Sequence, residues 1–181
     1  MQQKKILLAV TGSIAAYKSV FLLRFLKKAG YSVKVIMTDA AKSFVGALTF
    51  STLSENPVLD SWQNADHSWT NHVELGLWAD LILIAPATAN TISKLANGLA
   101  DDLLGGVYLS ARCPVFIAPA MDLDMWHHKA TQRNILQLKE DGVIIIEPDS
   151  GELASGLEGK GRMQEPEEIF AKVQSHFLHA G

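Results

Sequence analysis

Continuous apolar runs alternate along this chain with segments in which apolar residues recur every three or four positions. The runs cover residues 6–10, 33–37, 80–85, 115–118 and 143–146, and their members are apolar except for Lys34 and Asp80. Predominantly apolar runs of this length predict strands that are buried on both faces of a parallel sheet. The amphipathic segments between them predict helices, so strands and helices follow one another in the manner of repeated βαβ units.

The helices are predicted at about 14–28 and 71–78, from a cap within 86–90 to about Leu95, from Asp101 onward, and at 166–177. A short helix opens at Thr38, another lies within 47–62 before an extended stretch, and one after the fourth run carries His127 and His128. The polar segment 63–69 is predicted to be a mobile loop, and 148–163, with its four glycines, a loop or flap. The chain is therefore expected to form one α/β domain over residues 1–181. It has three α/β/α layers and a Rossmann-like or flavodoxin-like parallel sheet.

Composition and charge exclude several classes of function. The net charge of −3 provides no basic field for nucleic acid and no polybasic patch for a membrane. No apolar stretch is long enough to span a bilayer, and no cleavable signal peptide is visible. The single cysteine, Cys113, rules out an internal disulfide framework and fits a reducing cytoplasm, where we expect the protein to act. We interpret Cys113 as structural.

Small and hydroxyl-bearing residues follow four of the predicted strands, and such strand ends meet at one edge of a parallel sheet. They are Gly12-Ser13, Thr38, 86–90 and 119–122. Gly12 lets the backbone approach a ligand, and Ser13, Thr38 and Thr88 could bind a phosphate beside a helix N-terminus. Neither a Gly-x-Gly-x-x-Gly nor a Walker A pattern is present, so a mononucleotide such as FMN fits better than NAD or ATP. The alternative, that these hydroxyls only cap helices, remains open.

Two further features are candidates for substrate chemistry. The turn after the fourth run places Pro119, Met121, Met125 and Trp126 around Asp122 and Asp124, which suits a flat, partly apolar ligand; a helix cap with an apolar staple is the alternative. His72 could act as a base or hold a carboxylate, or could be a solvated helix residue. The spacing of His67, His127 and His128 predicts no metal site.

Four motifs together resemble one family, the flavin-dependent cysteine decarboxylases. They are TGSIAAYK at 11–18, His72 with WADLILIAPATAN at 78–90, PAMDLDMW at 119–126 and GELASGLEGKGRM at 151–163. The resemblance extends in the same order over nearly the whole chain. It implies FMN bound without covalent attachment at a trimer contact, with trimers that can assemble into dodecamers.

The resemblance also implies roles for individual residues. His72, Asp122 and Ser155 would be catalytic, and the substrate would contact Asp122, Met125, Ala154, Ser155 and Gly156. The implied cofactor-binding residues are Gly12, Ser13, Ile14, Thr38, Phe44, Pro86, Ala87, Thr88, Ala89, Asn90, Ala120 and Met121.

The implied activity is decarboxylation of 4′-phosphopantothenoylcysteine to 4′-phosphopantetheine in coenzyme A biosynthesis. A hydride passes from the cysteine Cβ to the flavin, CO₂ leaves, and the resulting ene-thiol is reduced. A synthetase that makes the substrate is an expected partner, either fused or separate. The alternatives are a peptidyl-cysteine decarboxylase, a flavin prenyltransferase and a non-catalytic FMN-binding regulatory subunit.

Two positions depart from the family pattern. Asp122 stands where the family has Asn, and an ionised carboxylate would repel the carboxylate of the substrate. Asp122 could be protonated, could accept a hydrogen bond from a substrate amide N–H, or could leave the role to Asp124 and the backbone; our hypothesis is the amide contact. Ser155 replaces the proton-donating Cys of the coenzyme A branch. Ser155 could relay a proton from water or from Lys160; the alternative is that the reduction fails and the ene-thiol is the product. We predict the reduced product, because the segment around Ser155 otherwise resembles the coenzyme A branch.

Overall fold

The computed structural model describes residues 3–63 and 66–179, and its centre is a six-stranded parallel sheet. The strands are β1 (Lys5–Val10), β2 (Ser32–Met37), β3 (Val58–Leu59), β4 (Leu81–Ala87), β5 (Val115–Pro119) and β6 (Ile144–Ile145). Their order is β3-β2-β1-β4-β5-β6, and every neighbouring pair is parallel. This is the strand order of a Rossmann-type doubly wound sheet, and the predicted three-layer fold is confirmed.

Helices cover both faces of the sheet. They are α1 (Ala16–Lys28), α2 (Ala47–Ser54), α3 (His72–Trp78), α4 (Ala89–Ala96), α5 (Leu103–Ser110), α6 (Leu123–His127), α7 (Lys129–Glu140) and α8 (Pro166–His179), with a 3₁₀ helix at Asp39–Ser43. Strand β1 shows why the apolar runs are continuous. Ile6 and Leu8 belong to the core beneath α1 and α8, whereas Leu7 and Ala9 belong to the opposite core. All four side chains are fully buried, as expected of a central strand between two helical layers. No helix of the described residues is long and apolar enough to cross a membrane.

The structure differs from the sequence prediction mainly in 148–163. This segment is an antiparallel hairpin of β7 (Asp149–Glu152) and β8 (Glu158–Arg162), where a loop or flap without regular structure was expected. The helix predicted after β5 is broken into α6 and α7 at His128, whose backbone is extended. The loop predicted to be mobile, 63–69, includes residues 64 and 65, which lie outside the described residues.

The strand order reverses between β1 and β4, and Thr11 joins the two strands at that point. The buried Thr11 hydroxyl donates to the Pro86 carbonyl oxygen (2.8 Å) and accepts from the Thr88 N–H (3.1 Å). Below it, the Ser19 hydroxyl of α1 donates to the Ala85 carbonyl oxygen (2.6 Å). A crevice opens where the helices after two adjacent strands leave toward opposite faces. Here the width of that crevice is fixed by side-chain hydrogen bonds.

Candidate active site

A cavity of about 720 Å³ lies at the carboxyl ends of β1, β2, β4 and β5, and we name it the sheet-edge cavity. Most of the residues predicted to bind a cofactor line it together: Gly12, Ser13, Ile14, Thr38, Phe44, Thr88, Ala89, Asn90, Ala120 and Met121. Strand ends that are far apart in sequence therefore meet at one site, as the parallel sheet requires.

Pro86 and Ala87 differ from the expectation, because neither lines the sheet-edge cavity. Both are buried within β4, and the Pro86 carbonyl oxygen accepts the hydrogen bond from Thr11. The polar loop that follows the strand begins only at Thr88. These two residues support the cavity from below.

The hydroxyls around the sheet-edge cavity are used differently. Thr88 is the N-cap of α4, since its Oγ1 accepts from the Thr91 N–H (3.2 Å), and the Ser13 Oγ accepts from the Ala15 N–H (3.2 Å). The capping alternative thus describes Thr88 correctly. The Thr38 Oγ1, in contrast, is buried and has no hydrogen-bond partner in the described structure. Burying a hydroxyl without a partner costs about 1–3 kcal/mol, so Thr38 is the position that most favours a polar ligand atom.

Gly12 brings the end of β1 against the 3₁₀ helix. A Cβ at this position would lie 2.5 Å from the Ala40 Cβ and 3.0 Å from the Ala40 carbonyl carbon. Real Cβ atoms do not approach so closely. A larger residue would push apart two walls of the sheet-edge cavity.

Sequence reasoning missed a charged cluster at the side of this cavity. Lys94 forms ion pairs with Asp101 (2.8 Å) and Asp102 (3.2 Å), and all three residues line the cavity. The hydrogen bond from Lys94 lowers the pKa of Asp101, and the same bond raises the pKa of Lys94. The pair Asp101-Asp102 was noticed only as a helix start, and Asp102 does cap α5 by accepting from the Gly105 N–H (2.8 Å).

A second cavity of about 300 Å³ lies between the start of α1, the turn after β5 and the β7–β8 hairpin; we name it the hairpin cavity. Its polar lining includes Lys18, Asp122 and Arg162. Four residues line both cavities: Ser13, Ile14, Ala120 and Met121. Because the cavities share this wall, ligands in the two would lie side by side.

Asp122 lies at the N-cap position of α6 but does not cap the helix with its side chain. Its backbone carbonyl accepts from the Trp126 N–H (2.9 Å), while its side chain is half-buried and faces the hairpin cavity. Met125, one residue before the buried Trp126, lines the sheet-edge cavity. The turn after β5 therefore supplies a wall to each cavity, and the helix-cap alternative accounts for the position of Asp122 but not for its carboxylate.

The hairpin packs directly on this turn. The Met121 N–H donates to the Gly161 carbonyl oxygen (3.0 Å), and a Cβ on Gly161 would overlap the Met121 carbonyl oxygen. A Cβ on Gly159 would lie 2.5 Å from the Leu123 Cδ1. Glycine at these positions is what allows β8 to approach.

The predicted substrate residues of the hairpin are divided. Ala154 lines the hairpin cavity, whereas Ser155 and Gly156 are exposed at the tip and line neither cavity. Lys160, proposed from sequence as a proton source for Ser155, is engaged elsewhere. Its Nζ lies 2.8 Å from the Glu147 carboxylate and 5.4 Å from the Trp126 ring centroid.

His72 is the first residue of α3 and does not line either cavity. Its ring meets the edges of Trp62 and Trp69, with centroids 5.2 and 5.7 Å away. The Nδ1 atom is buried and has no partner in the described structure, so His72 is not the freely solvated histidine considered as the alternative. One chain alone does not bring His72 to the cavities.

The described residues also contain no group of three or more potential metal ligands.

A family model with the description Flavoprotein matches residues 1–178 of the chain. The chain belongs to the Flavoprotein family. Its relatives include the coenzyme A biosynthesis bifunctional protein CoaBC of Bacillus subtilis, 48% identical over 98% of this chain. A cysteine/cysteine sulfinic acid decarboxylase from an unknown prokaryotic organism is 66% identical over 72% of it. This flavoprotein chain spans only 44% and 36% of the lengths of those two relatives.

Solved structures agree with this family. A mutant of PPC decarboxylase in complex with pantothenoylaminoethenethiol superimposes with a TM-score of 0.85 at 33% identity, covering 98% of this flavoprotein and 100% of that chain. The FMN-dependent cysteine decarboxylase SpaF has a TM-score of 0.79 at 35% identity, with coverage of 93% and 94%.

Proposed function

We propose that this flavoprotein binds FMN in the sheet-edge cavity and decarboxylates 4′-phosphopantothenoylcysteine to 4′-phosphopantetheine. The main observation behind the proposal is the wall shared by the two cavities. It places the larger sheet-edge cavity, which can hold a nucleotide, beside the smaller hairpin cavity, which the β7–β8 hairpin lines on one side. Support comes from the relatives named for coenzyme A biosynthesis and from the PPC decarboxylase complex.

The residues of the sheet-edge cavity fit FMN. Ile14, Phe44 and Met121 offer apolar surface to a flat ring system, and the unpartnered Thr38 hydroxyl offers a hydrogen bond. The turn at Gly12 and Ser13 leads into α1, whose first N–H groups favour an anion. When bound, FMN would supply the acceptance and return of a hydride at the cysteine Cβ.

The hairpin cavity would hold the cysteine end of the substrate. The Asp122 carboxylate accepts a hydrogen bond from a substrate amide N–H, and Ala154 limits the space on the hairpin side. The hairpin excludes water from the reacting carbon, while the Ser155 hydroxyl, exposed at its tip, relays a proton from water for the final reduction. A serine is a weak acid, so this proton step is slow.

We further infer a homotrimer, with the option of a dodecamer, in which His72 of one copy reaches a cavity of its neighbour. Exposed apolar side chains near both places support this arrangement. Ile14 and Tyr17 lie at the hairpin cavity, and Trp69 and Val73 lie beside His72. In this position His72 would hold the substrate carboxylate. A synthetase, fused or separate, is the proposed source of the substrate, in keeping with the bifunctional relatives.

Anaerobic turnover with product mass analysis tests the function. Bleaching of the flavin on addition of 4′-phosphopantothenoylcysteine, with release of CO₂ and a product of the mass of 4′-phosphopantetheine, is the expected result. A product lighter by two hydrogens would show that only the ene-thiol forms, as in a peptidyl-cysteine decarboxylase. FMN binding without turnover would indicate a regulatory subunit. Prenyl transfer to the flavin would indicate a prenyltransferase.

Free cysteine or cysteine sulfinic acid is the second candidate substrate. The observation that favours it is the 66% identity with the relative named for decarboxylating these compounds. The same anaerobic assay, run with each compound, ranks the candidates by kcat/KM.

The Ser155→Cys substitution is expected to speed the reduction of the ene-thiol by about tenfold or more, because a thiol is a far stronger acid than a hydroxyl. Ser155 is exposed and its Oγ accepts only a long bond from the Leu157 N–H (3.4 Å), so the fold tolerates the change. Rapid-quench mass analysis of the ene-thiol and the reduced product measures the rate, and Ser150→Cys on β7 is the control. An unchanged ratio of the two products would remove Ser155 from the proton path.

The Gly161→Ala substitution is expected to weaken substrate binding by about tenfold, because the new Cβ overlaps the Met121 carbonyl oxygen and forces the hairpin off the turn. The central sheet is separate from the hairpin, so Tm should change little. Gly46→Ala, where a Cβ meets nothing within 4 Å, is the matched control. Equal KM values for the two variants would show that docking of the hairpin does not shape the site.

A further inference from the structure

The carboxylate of Asp122 is a charge that the folded chain leaves uncompensated. It lines the hairpin cavity, makes no helix-capping bond, and forms no ion pair or hydrogen bond with any described residue. A half-buried anion in a narrow cavity favours a cationic partner, because the surrounding protein screens charge less than water does.

The cations nearest to this cavity are already paired. The buried Lys18 donates to Glu165 (2.8 Å) and to the Met163 carbonyl oxygen (2.9 Å), and Arg162 donates to the same Glu165 oxygen (2.8 Å). Glu152 adds a second carboxylate to the cavity lining. Among the described residues that line the hairpin cavity, Lys18 and Arg162 are thus engaged elsewhere, and a cationic group of a ligand would be the first ion-pair partner of Asp122.

We propose that Asp122 binds the α-ammonium group of an unacylated amino acid, so that the hairpin cavity accepts free cysteine-type zwitterions as well as N-acylated cysteine. The inference rests on the proposed function, since it assigns the hairpin cavity to the cysteine end of the substrate. An ammonium bonded to a carboxylate forms a charge-assisted pair, which an amide N–H cannot match. A zwitterion also offsets the repulsion between its own carboxylate and Asp122, whereas an N-acylated cysteine cannot.

Asp122 is thus a specificity-determining residue. With Asn at this position, the amide can still accept from a substrate N–H and can donate to a substrate carboxylate, but it no longer attracts an ammonium. The chemistry of the side chain therefore predicts a large loss of affinity for the free amino acid and little change for the N-acylated one. Loss of a charge-assisted hydrogen bond weakens binding by about tenfold or more.

The test is calorimetric titration of the flavin-loaded protein with two non-reacting ligands, S-methyl-L-cysteine and N-acetyl-S-methyl-L-cysteine. The native protein should bind the free amino acid at least tenfold more tightly, and added salt should weaken that binding because Asp122 is only half-buried. Asp122→Asn should lose at least tenfold for the free amino acid and change by less than threefold for the acetylated one. Asp124→Asn, an exposed carboxylate that lines neither cavity, is the matched control and should behave as the native protein.

An Asp122→Asn variant that keeps the native ratio of the two affinities would overturn the inference. If 4′-phosphopantothenoylcysteine is nevertheless decarboxylated, the proposed function stands and only the role of Asp122 falls. If neither ligand binds the native protein, the assignment of the hairpin cavity fails along with the inference. The Tm of each variant shows whether the fold is intact, which is expected because the Asp122 side chain supports no other residue.

Discussion

Replacing His72 with Asn is expected to reduce decarboxylation by about 10³-fold, while the FMN content stays that of the native protein. The His72 Nδ1 is buried without a partner, and Trp62 and Trp69 hold the ring edge-on. Such an atom loses hydration without gaining a hydrogen bond, and we propose that the His72 ring acts on the substrate carboxylate. Single-turnover CO₂ release measures the loss, and flavin absorbance measures the cofactor.

His127→Asn is the control for this prediction, because His127 is an exposed residue of the same type that lines neither cavity. Turnover of the His72 variant within fivefold of the native rate would contradict the proposed role. The proposed homotrimer allows a second test. Mixed assemblies of His72→Asn with an FMN-depleted variant should regain activity if His72 serves a neighbouring copy, since some sites then combine an intact cofactor cavity with an intact histidine.

Substituting Gly12 by Ala is expected to lower FMN affinity by about ten- to a hundredfold, so that the protein is purified almost without colour. The new Cβ would lie 2.5 Å from the Ala40 Cβ, and relieving this overlap moves the 3₁₀ helix away from the end of β1. Overpacking of this kind costs about 1–3 kcal/mol. Fluorescence titration of the apoprotein with FMN gives the dissociation constant.

The same contact supplies a rescue experiment. In the double variant Gly12→Ala with Ala40→Gly the overlapping methyl group is gone, and the nearest remaining atom is the Ala40 carbonyl carbon at 3.0 Å. FMN affinity should therefore recover by at least threefold relative to Gly12→Ala alone. Two variants with equal affinity would show that Gly12 acts through something other than its distance from Ala40.

The sequence was sufficient to predict the central strands of the sheet. A strand that is covered by helices on both faces is apolar at nearly every position, and such a run is easy to recognise. Leu7 and Leu8 point to opposite cores, yet both are fully buried. The sequence also predicted that Gly12, Thr38, Thr88 and Ala120 lie close together, because parallel strands deliver them to one edge of the sheet, where they line the sheet-edge cavity. Pro86 and Ala87, also predicted to bind the cofactor, do not line the cavity because the strand continues through them.

The remaining features depend on contacts that no local pattern encodes. Gly159 and Gly161 lie in β8, but because they have no side chains they do not contribute to the alternation of polar and apolar residues that identifies a strand. Their role in the close packing of β8 is seen only from their contacts with Leu123 and Met121. His72 was singled out by its motif, but within one chain it lines neither cavity, and the sequence pattern does not predict that position. The ion pairs of Lys94 with Asp101 and Asp102 were not predicted, because the sequence pattern around these residues indicated only the start of a helix.

Met121 has a consequence for the order in which ligands bind and leave. Its side chain belongs to both cavities, and its N–H holds the hairpin through Gly161. Thermodynamic reciprocity requires that any factor by which the cofactor changes the affinity for substrate is returned by the substrate to the cofactor. If the flavin strengthens the binding of substrate, a saturating substrate would strengthen the binding of the flavin by the same factor, and the colour retained at dialysis equilibrium would report on the occupancy of the neighbouring cavity.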